Sequence, residues 1–340
     1  MPRMNPVYGT DQDDDLFGSY GGDYIKGYDG DDWLYGYGSG DLLYGDDGDD
    51  WLWAGDGNDV LYGGDDADHL FADDGDDALE GGAGADHLSG GDGIDRASYI
   101  SSDARVVVTL LTGLGVSGDA EGDTLFGIEN LQGSAYDDKL FGNDSDTELR
   151  GEHCKDDLYG LGGNDEFLAG DGNDTVEGGD GDDLLWGDAG DDKLYGENDD
   201  DWMFGEDGKD TLVGGDGNDR LDGGANKDIL TGGTGADTFS FSQGVGADAD
   251  WISDFSHAEG DIINPTLDAN VNLPGNQPFT FIGTAGFTGK AGELRYEFPD
   301  LKLGYDDYTA VIVDVNGDAV ADYAIHCKGN IAFVVGDFVL

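Results

Sequence analysis

Gly178-Gly179-Asp180-Gly181-Asp182-Asp183-Leu184-Leu185-Trp186 is a nine-residue unit whose glycines, sixth-position aspartate and eighth-position leucine recur along most of the chain. Outward from it, a period of nine holds without insertion or deletion from Gly133 to Ser240, in twelve units, and again from Gly9 to Ser98, in ten. In the first array the sixth position is always aspartate: Asp14, Asp23, Asp32, Asp41, Asp50, Asp59, Asp68, Asp77, Asp86 and Asp95. In the second it is Asp138, Asp156, Asp165, Asp174, Asp183, Asp192, Asp201, Asp210, Asp219, Asp228 and Asp237, with Thr147 the exception. The eighth position is apolar throughout, from Leu16 and Ile25 to Leu230 and Phe239. A disordered acidic tract has no reason to place an apolar residue so strictly.

A glycine-rich hexapeptide ending in aspartate predicts a tight turn, because glycine accepts positive φ without steric cost. The three residues that follow then alternate outward, inward, outward, as in a short strand. Two units make one coil, so aspartates two units apart stack and the inward leucines of alternate units form a narrow core. Stacked carboxylates repel unless a cation lies between them, and aspartate and turn-carbonyl oxygens suit calcium, which takes six to eight oxygen ligands. Pairs two units apart number eight in the first array and ten in the second, the pair containing Thr147 among them.

With GGxGxDxUx written out, the repeats resemble the calcium-binding nonapeptides of RTX proteins. The resemblance implies an all-β fold: two parallel β-roll (β-helix) arrays at 9–98 and 133–240, a leader at 1–8, a non-repeat insert at 99–132, and a C-terminal segment at 241–340. In that last segment Trp251-Ile252-Ser253-Asp254-Phe255, Phe279-Thr280-Phe281-Ile282-Gly283 and Gly292-Glu293-Leu294-Arg295-Tyr296 are similar to the β-sandwich-like domain after the β-roll of serralysin-type secreted metalloproteases. The terminal Asp337-Phe338-Val339-Leu340 resembles the acidic-then-apolar signal that such proteins present to type I secretion machinery. The insert resembles the linkers between repeat blocks, and its plain reading is a cap on one array and a start for the next.

With 77 acidic against 15 basic residues and a formal charge of −62, the chain is a polyanion that resists compaction while its carboxylates are unscreened. Nucleic acid is excluded as a partner by the same field. Cys154 and Cys327 are too few for a disulfide framework, although one bridge between them is open. Met1 to Asp15 holds no apolar run of signal-peptide length, and no stretch approaches a transmembrane helix. Export without an N-terminal signal is therefore the expectation.

Catalytic motifs are missing from the sequence. The histidines His69, His87, His153, His257 and His326 form no HExxH, and no GxSxG occurs, so no enzymatic activity is expected. His69 and His87 lie two units apart at outward positions, within reach of one transition-metal ion or together by coincidence. Asp314-Val315-Asn316-Gly317-Asp318-Ala319-Val320-Ala321-Asp322 reads either as a turn between strands or as one more calcium loop. Glu152-His153-Cys154-Lys155 replaces turn glycines, which predicts weak metal binding there and at Thr147.

Outward aromatic residues recur as well. Phe17, Tyr35, Trp53 and Phe71 repeat in every second unit beside Trp33 and Trp51, and Trp186, Trp202 and Phe204 follow with Leu168 and Leu184 in the second array. Such a surface is either covered within the molecule or binds a sugar face or a protein. The resulting expectation is a secreted, non-enzymatic calcium-binding protein that folds on meeting extracellular calcium and serves as a binding or cell-surface module. Its alternatives are the accessory part of a protease, lipase or alginate epimerase whose catalytic domain is absent here, and a polysaccharide-binding module using Trp33, Tyr35, Trp51, Trp53, Phe71, Trp186, Trp202 and Phe204.

Overall fold

Six-residue strands such as Trp51–Asp56 and Thr211–Asp216 begin at the seventh position of one unit and end at the third of the next. Their alternation buries the eighth and first positions, and the aspartate just before each strand is inward too. Leu52, Leu61, Leu70, Leu79 and Leu88 are all 0% exposed, and at the first position only glycine or alanine is found, Ala54 and Ala72 being fully buried. A Cβ on Gly45 would lie 2.1 Å from the Asp50 carboxylate.

Turn glycines answer a backbone requirement. Gly64 and Gly75, at the second and fourth positions, have φ of 133° and 151°, and a Cβ at either would meet the carbonyl oxygen of its counterpart one coil earlier, Asp46 or Gly57, at 1.9 and 1.6 Å. At these two glycines the carbonyl of the coil below leaves no room for a side chain, whereas Tyr28, Asp46 and Leu161 carry one at the second position of their own turns with φ of 85°, 78° and 81°.

The computed structural model describes residues 4–241, 249–265, 278–298 and 307–340. The first three leader residues and parts of the C-terminal segment lie outside them. The chain divides into two compact units, Met1–Asp171 and Gly172–Leu340.

In the first unit, one all-parallel sheet passes from Asn5–Tyr8 through Asp23–Asp29, Leu42–Asp47, Val60–Asp65 and Ala78–Ala83 to Arg96–Ser98, Asn130–Gln132, Glu148–His153 and Glu166–Asp171. Partner residues lie two nonapeptides apart within the repeats, and the interval widens where Arg96 pairs with Asn130. The second sheet runs from Asp15–Phe17 to His87–Asp92 and there takes in the insert. Thr124–Phe126 joins His87–Asp92 in parallel, Leu114–Val116 and Val107–Thr109 fold back antiparallel, and Val107–Thr109 receives Lys139–Phe141 in parallel. The insert is thus neither a cap nor a linker; it is built into both sheets, which continue through it.

In the second unit the same two-sheet coil runs from Thr175–Asp180 and Leu184–Trp186 to Ile229–Thr234 and Thr238–Ser240. It goes on beyond the expected end of the repeats, because Asp250–Ile252 and Ile262–Asn264 add in parallel. Tyr323–Lys328 then pairs with Asp250–Ile252, followed by antiparallel Tyr308–Asp314 and Glu293–Glu297. Among the described residues Asp250–Ile252, Tyr323–Lys328, Tyr308–Asp314 and Glu293–Glu297 extend one sheet and Ile262–Asn264 extends the other. Asp250 and Asp261 each precede an inward apolar residue by two, and that is enough to continue the coil.

Candidate metal centre

Each sixth-position aspartate is placed by backbone geometry and spends its two oxygens differently. Along the regular ladder its Oδ1 accepts the peptide N–H of the aspartate one coil earlier: Asp32 N–H on Asp50 at 2.8 Å, Asp50 on Asp68 at 2.8 Å, Asp68 on Asp86 at 2.8 Å, and Asp201 on Asp219 at 2.9 Å, while Asp138 Oδ1 accepts from Val106 N–H at 2.7 Å. The carboxylates therefore stack as the spacing predicts, pinned by neutral donors. Oδ2 is left buried without a hydrogen-bond partner at Asp32, Asp41, Asp50, Asp59, Asp68, Asp77, Asp86 and Asp95, and at Asp192, Asp201, Asp210, Asp219, Asp228 and Asp237. A buried ionised oxygen with no donor is costly unless a cation meets it.

Burial accordingly pushes these carboxyls up. Asp32 and Asp41 rise to about 6, Asp50, Asp59 and Asp86 to about 7, Asp192, Asp201 and Asp228 to about 8, and Asp68 to about 9. The accepted N–H opposes the rise, while neighbouring carboxylates, Asp86 and Asp50 around Asp68, add to it. Among the described residues no three His, Cys, Asp or Glu side chains gather in one place to hold a metal. An ion here would be held by carboxylate Oδ2 together with main-chain carbonyls of the turns, an all-oxygen donor set that fits a hard cation such as calcium.

Three of the expected ligands are satisfied without metal. Asp14 Oδ2 accepts from Thr10 N–H at 2.7 Å and Thr10 Oγ1 at 2.8 Å, Asp23 Oδ2 from Ser19 N–H at 2.6 Å and its Oγ at 3.0 Å, and Asp138 Oδ2 from Ser134 N–H at 2.5 Å and its Oγ at 3.0 Å. Asp156, Asp165, Asp174 and Asp183 occupy equivalent buried places in the ladder. Thr147 keeps the amide contact, its N–H reaching Asp165 Oδ1 at 2.7 Å, but turns its hydroxyl to the Ser145 carbonyl.

The ladder also contains residues that the period does not reveal. Asp123 accepts from Asp86 N–H at 2.8 Å, Glu129 from Asp95 at 2.9 Å, Asp250 from Asp228 at 3.0 Å and Asp261 from Asp237 at 3.2 Å. Their signal is an acid two residues before an inward apolar side chain, as in Asp123-Thr124-Leu125, without the glycine turn. A second ladder lies outside it at the fifth position and runs in the opposite sense. Asp31 N–H donates to Asp13 Oδ1 at 3.2 Å, Asp49 to Asp31 at 3.1 Å and Asn218 to Asp200 at 2.7 Å.

The loop Asp314 to Asp322 uses its carboxylates on itself: Asp314 accepts from Gly317 and Ala319 N–H, and Asp322 from Val315 and Asn316 N–H. That is the turn reading. His69 and His87 are register partners with ring centroids 5.7 Å apart, and His87 Nδ1 lies 3.0 Å from Thr124 Oγ1. Both cysteines are free thiols, Cys154 exposed and Cys327 buried.

The outward aromatics stack on one another. Phe17 on Tyr35, Tyr35 on Trp53 and Trp53 on Phe71 have centroids 5.1, 4.9 and 5.7 Å apart and planes within 11°, and Trp186 on Phe204 is at 4.2 Å. Trp51 lies over His69 at 4.0 Å, Trp33 meets Trp53 edge-on, and Trp202 carries the Arg220 guanidinium at 5.3 Å. A ring whose two faces are taken by its neighbours offers its edge to solvent, while Phe17, Trp33 and Trp202 are exposed. The insert does not cover this file; Phe126 approaches its far end, 5.1 Å from His87, and remains exposed.

At the C-terminus, Asp337 is buried and accepts from His257 Nδ1 at 2.7 Å, while Phe338 packs against Phe281 and Phe333; Val339 and Leu340 are exposed. Among the described residues no helix is long and apolar enough to cross a membrane.

Comparison with solved structures finds the AlgE6R3 and AlgE6R2 subunits of the mannuronan C5-epimerase of Azotobacter vinelandii. Each is 27% identical with a TM-score of 0.32; they cover 47% and 46% of this chain and 80% and 90% of their own. The extracellular lipase LipA of Serratia marcescens is 17% identical with a TM-score of 0.26, covering all of this chain and 40% of the lipase. No curated protein matches. The RTX calcium-binding nonapeptide repeat matches at 8–43, 35–70, 62–97, 123–146, 155–185, 168–203, 177–212 and 204–239, more than half of the chain. With buried aspartate ladders in register and a repeat match of this extent, the chain belongs to the RTX calcium-binding nonapeptide-repeat family.

Proposed function

We propose that this chain is a secreted, non-enzymatic RTX module that leaves the cell unfolded through a type I route, folds when it meets extracellular calcium, and then acts as a binding or cell-surface element. The observation that carries the reading is the file of buried Oδ2 atoms with no protein donor. One inward leucine per nonapeptide, worth about 2 kcal/mol, does not offset ordering the backbone around it. A ligand bound only by the folded state supplies the remainder by mass action. Cytosolic calcium is too scarce to fill sites of the millimolar class typical of extracellular modules, so the same carboxylates act as a one-way folding switch. The burial of Asp337 and Phe338 in the folded chain agrees with a tail that is read before folding.

The test is a calcium titration of the chelated protein by far-ultraviolet circular dichroism, with magnesium in parallel. A coil-to-β transition with calcium and none with magnesium is expected. A chain fully folded in chelator overturns the reading.

A further inference from the structure

Two kinds of turn occur, each with a sequence signature of its own. In eighteen units the second-position residue has positive φ, from Tyr28 to Gly91 in the first array and from Glu152 to Gly233 in the second. Wherever the partnerless Oδ2 atoms described above occur, the turn is of this open kind. The second-position residues outside that set are Thr10, Ser19, Ser134 and Asn143. Thr10, Ser19 and Ser134 fold their own N–H and hydroxyl onto the Oδ2 of the aspartate that ends the same turn. Asn143 stands in the unit whose sixth position is Thr147, which has no carboxylate to satisfy.

We propose that a serine or threonine at the second position closes a nonapeptide turn against calcium, its hydroxyl and amide taking the place of the ion, so that the turns of Asp14, Asp23 and Asp138 are metal-free. The proposal rests on the calcium reading above and assigns which turns take the ion. The chemistry is a substitution of donors: an open turn such as that of Asp68 presents an anionic oxygen with no proton donor, whereas a closed turn gives the same oxygen two. A cation entering a closed turn would have to break both hydrogen bonds and rotate the second residue into the left-handed region.

The closed turns stand at places where the regular coil begins. Thr10 and Ser19 open the first array, and Ser134 opens the second directly after the insert. Two other donors do the same work at the far ends: Tyr99 OH reaches Asp123 Oδ2 at 3.0 Å, and Ser256 N–H reaches Asp261 Oδ2 at 2.7 Å. The line from Asp14 to Asp123 is therefore bounded by protein donors at both ends, where a terminal ion would have a coil on one side only.

The test is the number of calcium ions bound at saturation, measured by equilibrium dialysis, for the full chain and for Ser19→Gly and Asp73→Ser, Asp73 being the second residue of the open turn that ends in Asp77 and already carrying a side chain there. Ser19→Gly is expected to bind one ion more than the wild type and Asp73→Ser one fewer, with circular dichroism of the calcium-loaded proteins unchanged. A wild type that binds calcium while both variants bind the same number overturns the switch alone. A wild type that binds none overturns the calcium reading and the switch with it. Should Asp73→Ser not fold, Ser134→Gly repeats the gain of one ion, and its failure to do so counts equally against the proposal.

Discussion

Leu161 has a φ of 81° at the second position of its turn, where most units of the second array carry glycine or an acid, and its side chain is exposed. The left-handed region costs an ordinary residue about 1–2 kcal/mol, part of which glycine returns through the freedom of the unfolded chain. Leu161→Gly should therefore raise the stability of the calcium-loaded protein by up to about 1 kcal/mol, read from the denaturant midpoint. Gly64→Ala should do the reverse by more than about 2 kcal/mol, since its Cβ would lie 1.9 Å from the Asp46 carbonyl oxygen. A smaller effect at Gly64 than at Leu161 would mean that the turn can flip, and the register argument would fail. At Asp68, replacement by asparagine keeps an oxygen for the Asp50 N–H and removes a buried charge whose carboxyl is pushed to about 9. Asp68→Asn should lower the number of bound calcium ions while making the chelated chain less unfolded, and circular dichroism in chelator checks the second half.

At the scale of the strand, a coil has one inward leucine per sheet, and each touches the leucines of the coils before and after it. Leu61 is fully buried in the Val60–Asp65 strand, register partner of Leu43 and Leu79. Leu61→Ala should cost about 2–5 kcal/mol and move the calcium midpoint of folding to higher concentration, because more ligand is needed to offset the lost core. An unchanged calcium midpoint would show that core and metal are not coupled. The insert belongs to this scale as well. Val106-Val107-Val108 could be read as a strand but not as a member of the coil, because the pairings that place it, Leu125 on Leu88 and Val108 on Leu140, fall at two unequal separations, neither a multiple of the repeat. The aromatic file was legible as a file; that its rings stack on one another was not, since ring orientation depends on the neighbour one coil away and not on the ring's own sequence.

For the molecule as a whole, buried aspartates without metal make folding depend on pH. Carboxyls that titrate at about 6 to 9 in the folded chain titrate near 4 when unfolded, so between those values the folded state binds more protons. Stability of the metal-free chain is therefore greatest at the acid side and is lost as pH rises through the folded values. In chelator, lowering the pH from about 9 to about 5 should increase β structure, protons standing in for calcium, while calcium-induced folding should weaken over the same range. Circular dichroism at several pH values, with and without calcium, tests both signs. A chelated chain that gains structure as pH rises would contradict the burial of these carboxyls.

The sequence by itself determined the coil: a strict period of nine allows one register, in which every sixth-position acid and eighth-position apolar residue must stack on its own kind two units away. Chemistry then made the ligand set, because carboxylates and turn carbonyls offer only oxygen. Tertiary structure decided where that rule stops. Whether a given Oδ2 is left for a cation or taken by Thr10, Ser19, Ser134, Tyr99 or Ser256 depends on hydrogen bonds made after the turn is formed, and for Tyr99 on a partner, Asp123, at the far side of the insert. The same is true of Asp123, Asp250 and Asp261, which join the ladder through sheet pairing alone. A period fixes what repeats; the exceptions are fixed by contacts between residues whose separation has no period.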